Sequence, residues 1–361
     1  MTYSIVTPKF NYAQEIRRYN FPKELQAELV ALFIAHNDKP VRKRYADTPV
    51  GYKTMYRRFV DICATFRTLK EIGYPIQFLA NFKVKHVQAL FTHWEKQGDS
   101  IGTIENKLSY LRMFLRWIGK HNMIGPGKTF SADPDNYRRT TVAQTDKTWT
   151  GNGIDILAKI EEIRRCDPVV ALQMELQMAF GLRAEESMLL RPKQALIEAT
   201  NKLELQIVHG TKGGRLRQIQ LDDIVQLDVL TRAASAVPEK YTTLIPAKYT
   251  LEQWRAHYYY VCRKFNIKKS TEQGGLGVTC HGLRHEYLNR LFERITGKPS
   301  PIQGGADYDE DLYQIARKMV AERAGHCAPE KSGAYLGSKR GATPKKPVIP
   351  TEPDEDEVTS S

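Results

Sequence analysis

Apolar residues recur at steps of three and four through four stretches of the first 120 residues. That period suits one face of an amphipathic helix and no strand. The stripes are Leu25, Leu29, Leu32 and Phe33 in 22–36, then Met55, Phe59, Ile62, Phe66 and Leu69 in 52–72. Val87, Leu90, Phe91 and Trp94 follow in 84–97, stopped by Gly98, and Ile104, Leu108, Leu111, Leu115 and Ile118 in 103–120. The opposite faces are basic, with Lys53, Arg57, Arg58, Arg67 and Lys70 on the second helix and Lys107, Arg112, Arg116 and Lys120 on the fourth.

From 121 to 150 the period fails, and Gly, Pro, Asp, Ser and Thr dominate, the composition of a linker. Helical spacing resumes at 154–165 and 169–180. In LELQIVHGTKGGRLRQIQL, 203–221, apolar residues alternate on both sides of Gly213-Gly214, which predicts a β-hairpin with Lys212 at its bend. Further helices are expected near 222–234, 250–265, 280–294 and 308–324. The expectation is a mainly α chain with one small β-hairpin: an extension with a helix (1–39), a helical domain (40–125), a linker (126–150), a mixed domain (151–340) and a disordered acidic tail (341–361).

Charge narrows the partners. The net charge is +13, and the last 21 residues hold five acids and two lysines, so the rest of the chain stands near +16. Such a field favours a polyanion, of which nucleic acid is the commonest. Basic helix faces are often merely solvated, but on this chain Lys53, Arg57, Lys107, Arg112 and Arg116 become candidates for DNA phosphates. Five cysteines without metal-site spacing read as reduced thiols. Neither a secretory signal nor a membrane span is expected, so the expected location is cytoplasmic.

The stretch TCHGLRHEYLNRLF, 279–292, sets His281, Arg284, His285 and Leu288 on one helix face. His281 and His285 have the spacing of a zinc pair, but Gly282 stands where a zinc protease needs Glu. Arg284 between them would repel a cation; an anion such as phosphate is the better guest. Three other stretches belong beside it: AFGLRAEESMLL (179–190), GTKGGRLRQIQL around Lys212, and AGHCAPEKSGAYLG (324–337). Singly each has a plain reading. Arg183 and Glu186 could be an ion pair within one helix, Lys212 turn chemistry, His326 a residue at a helix end, and Tyr335 one of 18 tyrosines.

In order, the four stretches resemble the tyrosine recombinase (phage integrase) family. That family carries G-L-R-x-x-E, a hairpin Lys, H-x-x-R, G-H, and a Tyr nine residues after that last His. The resemblance implies an all-helical core-binding domain, matching 40–120 by pattern and position, and a mixed α/β catalytic domain over 154–337. It implies catalytic roles for Arg183, Lys212, His281, Arg284, His326 and Tyr335, with Glu186 supporting Arg183. His285 lies outside the matched set and is read as a supporting residue. The 42 residues from Arg284 to His326 exceed the family's usual gap, and the surplus is assigned to a loop at 295–309.

The residue types suit the chemistry. Two fixed guanidiniums can stabilise a phosphorane without a metal. A Tyr hydroxyl can form a covalent intermediate, and a Lys can protonate the departing 5′ oxygen. The expected activity is site-specific recombination through a 3′-phosphotyrosine, with no cofactor. The expected partners are double-stranded DNA at a specific site, a homotetramer at synapsis, and accessory DNA-bending or directionality proteins, with the protein itself on the bacterial nucleoid. The rival readings are a type IB topoisomerase and a non-cleaving DNA-binding protein of the same fold.

Overall fold

Short polar side chains fix where most of the long helices begin. Ser100 accepts from the Thr103 amide at 3.2 Å, and Asp155, Asp167, Asp223, Thr250 and Asp309 cap later helices in the same way. Each satisfies an amide that the helix leaves without a partner. The computed structural model describes residues 10–40, 50–211 and 216–339, mostly helical with one two-stranded antiparallel sheet. They form two compact units that divide between Thr140 and Thr141.

The first unit holds α1 (Tyr12–Glu15), α2 (Lys23–His36), α3 (Tyr52–Glu71), α4 (Val84–Lys96) and α5 (Ile101–Trp117). Its core gathers most of the apolar stripes: Leu25, Leu29 and Phe33 of α2 with Phe59 and Phe66 of α3, Phe91 of α4 and Phe114 of α5. Each such side chain, fully buried, contributes about 1.5–3 kcal/mol. One residue departs from the expected pattern. Arg58, anticipated on the outer basic face of α3, is buried and donates to the carbonyls of Asn37 and Lys39, both at 2.9 Å. It serves acceptors at and beyond the C-terminal end of α2, where a cation is favoured.

The second unit holds α6 (Ile156–Cys166), α7 (Pro168–Phe180), α8 (Ala184–Leu189), α9 (Pro192–Lys202), β1 (Glu204–Ile207) and β2 (Arg217–Gln220). After the strands come α10 (Ile224–Ser235), α11 (Leu251–Lys264), α12 (His281–Thr296), α13 (Glu310–Arg323) and α14 (Gly333–Leu336). Helix α7 is buried along most of its length, from Val170 to Phe180, and packs against α6, α10 and α12. Strands β1 and β2 pair from Glu204↔Gln220 to Ile207↔Arg217, the hairpin the alternation predicted. Helix α9 escaped the periodicity because the residues it buries, Pro192, Ala195 and Ala199, are too small to mark a stripe. The loop at 297–309 contains a short 3-10 turn, Pro301–Gln303.

Candidate active site

Glycine ends α7 and thereby aims the first arginine. Gly181 has φ +59°, and a Cβ there would meet the Tyr287 ring at 2.5 Å, so the tight reversal requires glycine. The chain then places Arg183 at the N-cap of α8. Glu186 reaches back to accept from the Arg183 backbone amide (2.7 Å) and from its guanidinium (2.6 Å). The pair is therefore a helix cap as well as an ion pair. Glu186 is fully buried. Burial alone would raise its pKa, but the charges of Arg217, Arg183 and Arg284 hold it below the ordinary carboxylate value.

Helix α12 supplies the second arginine. A Cβ on Gly282 would lie 2.6 Å from both the Lys147 carbonyl and Trp149, so this residue lets the start of α12 press against the buried Trp149. Arg284 is 0% exposed. It donates to the Gly181 carbonyl and, at 2.6 Å, to the Ala324 carbonyl, and its Nε lies 3.4 Å from the Tyr335 hydroxyl. Arg183 donates to the same Ala324 carbonyl at 3.1 Å. That carbonyl stands where α13 ends, one residue before Gly325 (φ +68°) and His326.

Tyr335 lies on α14 and is buried, 6% exposed. Its ring centroid is 4.9 Å from His285, 6.2 Å from His326 and 6.3 Å from His281. Desolvation, then the Arg284 and Arg183 charges, depress His281 to about 4. His281 is nonetheless open to solvent, and the Arg284 and Arg183 charges act on it there. His285 is buried, and desolvation, then His281, Lys147 and Arg284, bring it down to about 3. Both imidazoles are thus neutral near pH 7.

The structure brings Arg183, Glu186, His281, Arg284, His326 and Tyr335 into one site on the second unit. Lys212 lies outside the described residues. The loop at 297–309 supports the surroundings of Tyr335: Ser300 donates to Asn289 at 2.5 Å, and Asn289 in turn donates to the Tyr335 carbonyl at 3.4 Å. Arg217 escaped the sequence reading. It is buried and donates to Glu186 at 2.6 Å and to the Arg323 carbonyl at 2.9 Å. A signal for it existed: Arg217 shares the inward parity of Ile219 on β2, where a charge needs a partner.

The DNA-contact candidates divide. Lys107 pairs with Asp99 and sits 5.0 Å from the Trp94 ring centroid. Arg112 pairs with Glu105, and Arg57 with Asp61. Lys53, Arg57 and Arg116 are exposed. Among the described residues no helix is long and apolar enough to cross a membrane.

Two family models match: "Integrase" over residues 137–290 and "Phage integrase, N-terminal" over 43–124. The first ends before His326 and Tyr335. No curated protein matches. Among solved structures, a lambda integrase dimer bound to a COC′ core site is 16% identical with a TM-score of 0.54, covering 91% of this chain and 80% of that one. The Tn1549 transposon integrase (aa 82-397) in complex with circular intermediate DNA is 14% identical with a TM-score of 0.53, covering 86% and 95%. The XerH site-specific recombinase bound to palindromic difH substrate is 14% identical with a TM-score of 0.52, covering 90% and 89%. At these identities the likeness to the solved structures is one of fold.

Proposed function

The chain belongs to the tyrosine recombinase (phage integrase) family and is a site-specific recombinase; we propose that it cuts and rejoins double-stranded DNA through a 3′-phosphotyrosine formed on Tyr335. The observation that carries this reading is the seating of the Tyr335 hydroxyl 3.4 Å from a guanidinium that is itself fixed by two main-chain carbonyls.

In the proposed reaction the Tyr335 oxygen attacks the scissile phosphorus, forming a P–O bond as the P–O5′ bond breaks. A neutral histidine, His281 in this assignment, takes the tyrosine proton. Lys212 gives a proton to the departing 5′ oxygen, leaving a 5′-hydroxyl. Arg183 and Arg284 offset the charge that builds on the phosphorane, and His326 donates to a non-bridging oxygen. Attack of a 5′-hydroxyl on the phosphotyrosine then reverses these steps and religates, so the energy of the broken bond is conserved. Glu186 holds Arg183 in place.

The helical unit is assigned to DNA binding, with Lys53, Arg57 and Arg116 its exposed candidates. A homotetramer at synapsis and accessory DNA-bending or directionality proteins complete the proposed assembly. The solved relatives bound to DNA support this assignment, one of them a lambda integrase tetramer bound to a Holliday junction.

The test begins by recovering the cognate site, by covalent capture from a random-sequence duplex library. Plasmids bearing no, one or two copies of that site are then incubated with the protein. Recombinant product from the two-site plasmid alone, rising steeply with protein concentration, is the expected result. Efficient relaxation of the site-free plasmid without recombinants would establish the topoisomerase reading instead.

A further inference from the structure

The buried cluster around Glu186 contains a third guanidinium that the proposed chemistry does not use. Arg217 is 5% exposed and lies on the inward face of β2, paired in register with Ile207 of β1. One arm of its fork reaches Glu186 Oε2 at 2.6 Å, and the other reaches the Arg323 carbonyl at 2.9 Å. Glu186 Oε2 also accepts from the Arg183 amide, while Oε1 takes the Arg183 guanidinium. Arg284 Nη1 lies 3.8 Å from Oε2. A single carboxylate is therefore surrounded by three arginines, two of which are assigned to the phosphate.

Resting on the recombinase reading above, we propose that Arg217 is a positioning residue for cleavage. It ties the hairpin to the Glu186–Arg183 pair on one side and to the turn that carries Ala324 and His326 on the other. The planar fork holds both acceptors at once from separate nitrogens in a fixed geometry, which a lysine's single ammonium does not reproduce. Arg323 closes the same junction from α13 by donating to the Gln220 carbonyl at 3.0 Å.

The consequence for Glu186 is electrostatic. Arg183 faces the carboxylate from its own cap, Arg217 from β2, and His281 and Arg284 from α12. Arg191, Glu198 and His209 share the neighbouring cavity with it. Among the attractive influences on Glu186, the charge of Arg217 is the largest. Without it, burial dominates, and the carboxylate takes up a proton at a higher pH than in the intact protein. A protonated Glu186 no longer holds Arg183 as an ion pair, so cleavage is lost as pH falls through that raised value.

The experiment measures covalent cleavage of a nicked duplex carrying the captured site, with full-length protein, across about pH 5 to 9. For Arg217→Met the acid limb should move up by about one unit or more, the effect of removing a close opposite charge, with activity recovering on the alkaline side. Arg217→Lys keeps the charge but not the bridge. Its acid limb should stay near that of the wild type while the rate falls about tenfold, the factor that one charge-assisted hydrogen bond carries. A loss in Arg217→Met that is uniform at every pH overturns the proposal. So does a wild-type rate in Arg217→Lys, and this outcome does not depend on whether the Met variant folds. Absence of cleavage by the wild-type protein would overturn the recombinase reading itself, and this inference with it.

Discussion

Arg183 and Arg284 converge on one acceptor, the Ala324 carbonyl, at 3.1 and 2.6 Å. Two guanidiniums carry like charge and need a shared anchor to sit together. Here the anchor is a main-chain oxygen on the turn that also leads to His326. The two arginines are therefore placed by the backbone of α13 as much as by their own helices.

Replacing either arginine by lysine should expose this arrangement. A lysine keeps the charge but cannot donate to Ala324 and to a phosphate oxygen in the same geometry. Arg284→Lys should slow formation of the covalent adduct by about 100-fold or more, the scale of losing a preorganised donor. Site affinity, measured by gel shift, should change far less. An adduct rate within a few-fold of wild type would show that the fork is dispensable.

The buried histidine gives a prediction about acid stability. His285 has a folded pKa near 3, below its unfolded value of about 6.5. The unfolded chain thus binds more protons between those values, and stability must fall as pH is lowered through that window. The slope from this one group is at most about 1.4 kcal/mol per pH unit. His285→Gln should flatten the fall in urea-unfolding free energy between about pH 6.5 and 4. An unchanged slope would mean that His285 is protonated in the folded protein.

Gly282→Ala tests the seat of α12. The added methyl would meet the Lys147 carbonyl and Trp149 at 2.6 Å, so the helix start must move. A cost of about 1–3 kcal/mol is expected, as for other overpacked sites, together with slower cleavage as His281 and Arg284 shift. A variant with the wild-type unfolding midpoint and cleavage rate would contradict this account of the glycine.

The helical unit offers a sharper choice than its sequence did. Arg116 is exposed, whereas Lys107 is already engaged by Asp99 and the Trp94 ring. In the full-length protein, Arg116→Gln should reduce the slope of log affinity against log salt by about 0.9, the value of one released counterion. Lys107→Gln should change it less. Equal slopes for Arg116→Gln and the wild type would remove Arg116 from the DNA surface.

Much of this site is legible in the chain because its residues follow local rules. His281, Arg284 and His285 share a face through helical spacing, and Arg183 with Glu186 follows from the three-residue spacing of an ion pair, although their cap geometry was not read. The apolar stripes of α2 to α5 announced their own burial. What was not legible depends on contacts distant in sequence or on atoms that every residue has. The Gly181 and Ala324 carbonyls that hold Arg284 carry no side-chain signature. Arg217 meets Glu186 only once the hairpin is folded against α8, and His285 approaches Tyr335 from 50 positions away. Arg58 misled the reading of α3 because its acceptors lie at and beyond the end of another helix.

The role of Tyr335 as nucleophile is open to direct measurement. The protein is incubated with a nicked suicide duplex carrying the captured site, and the covalent product is digested and sequenced by mass spectrometry. The expected product is a DNA 3′-phosphate on the peptide that contains Tyr335. With Tyr335→Phe, wild-type affinity for the same duplex and no adduct are expected, which would support this role. An adduct in the Phe variant, or a phosphate mapped to another residue, would contradict it.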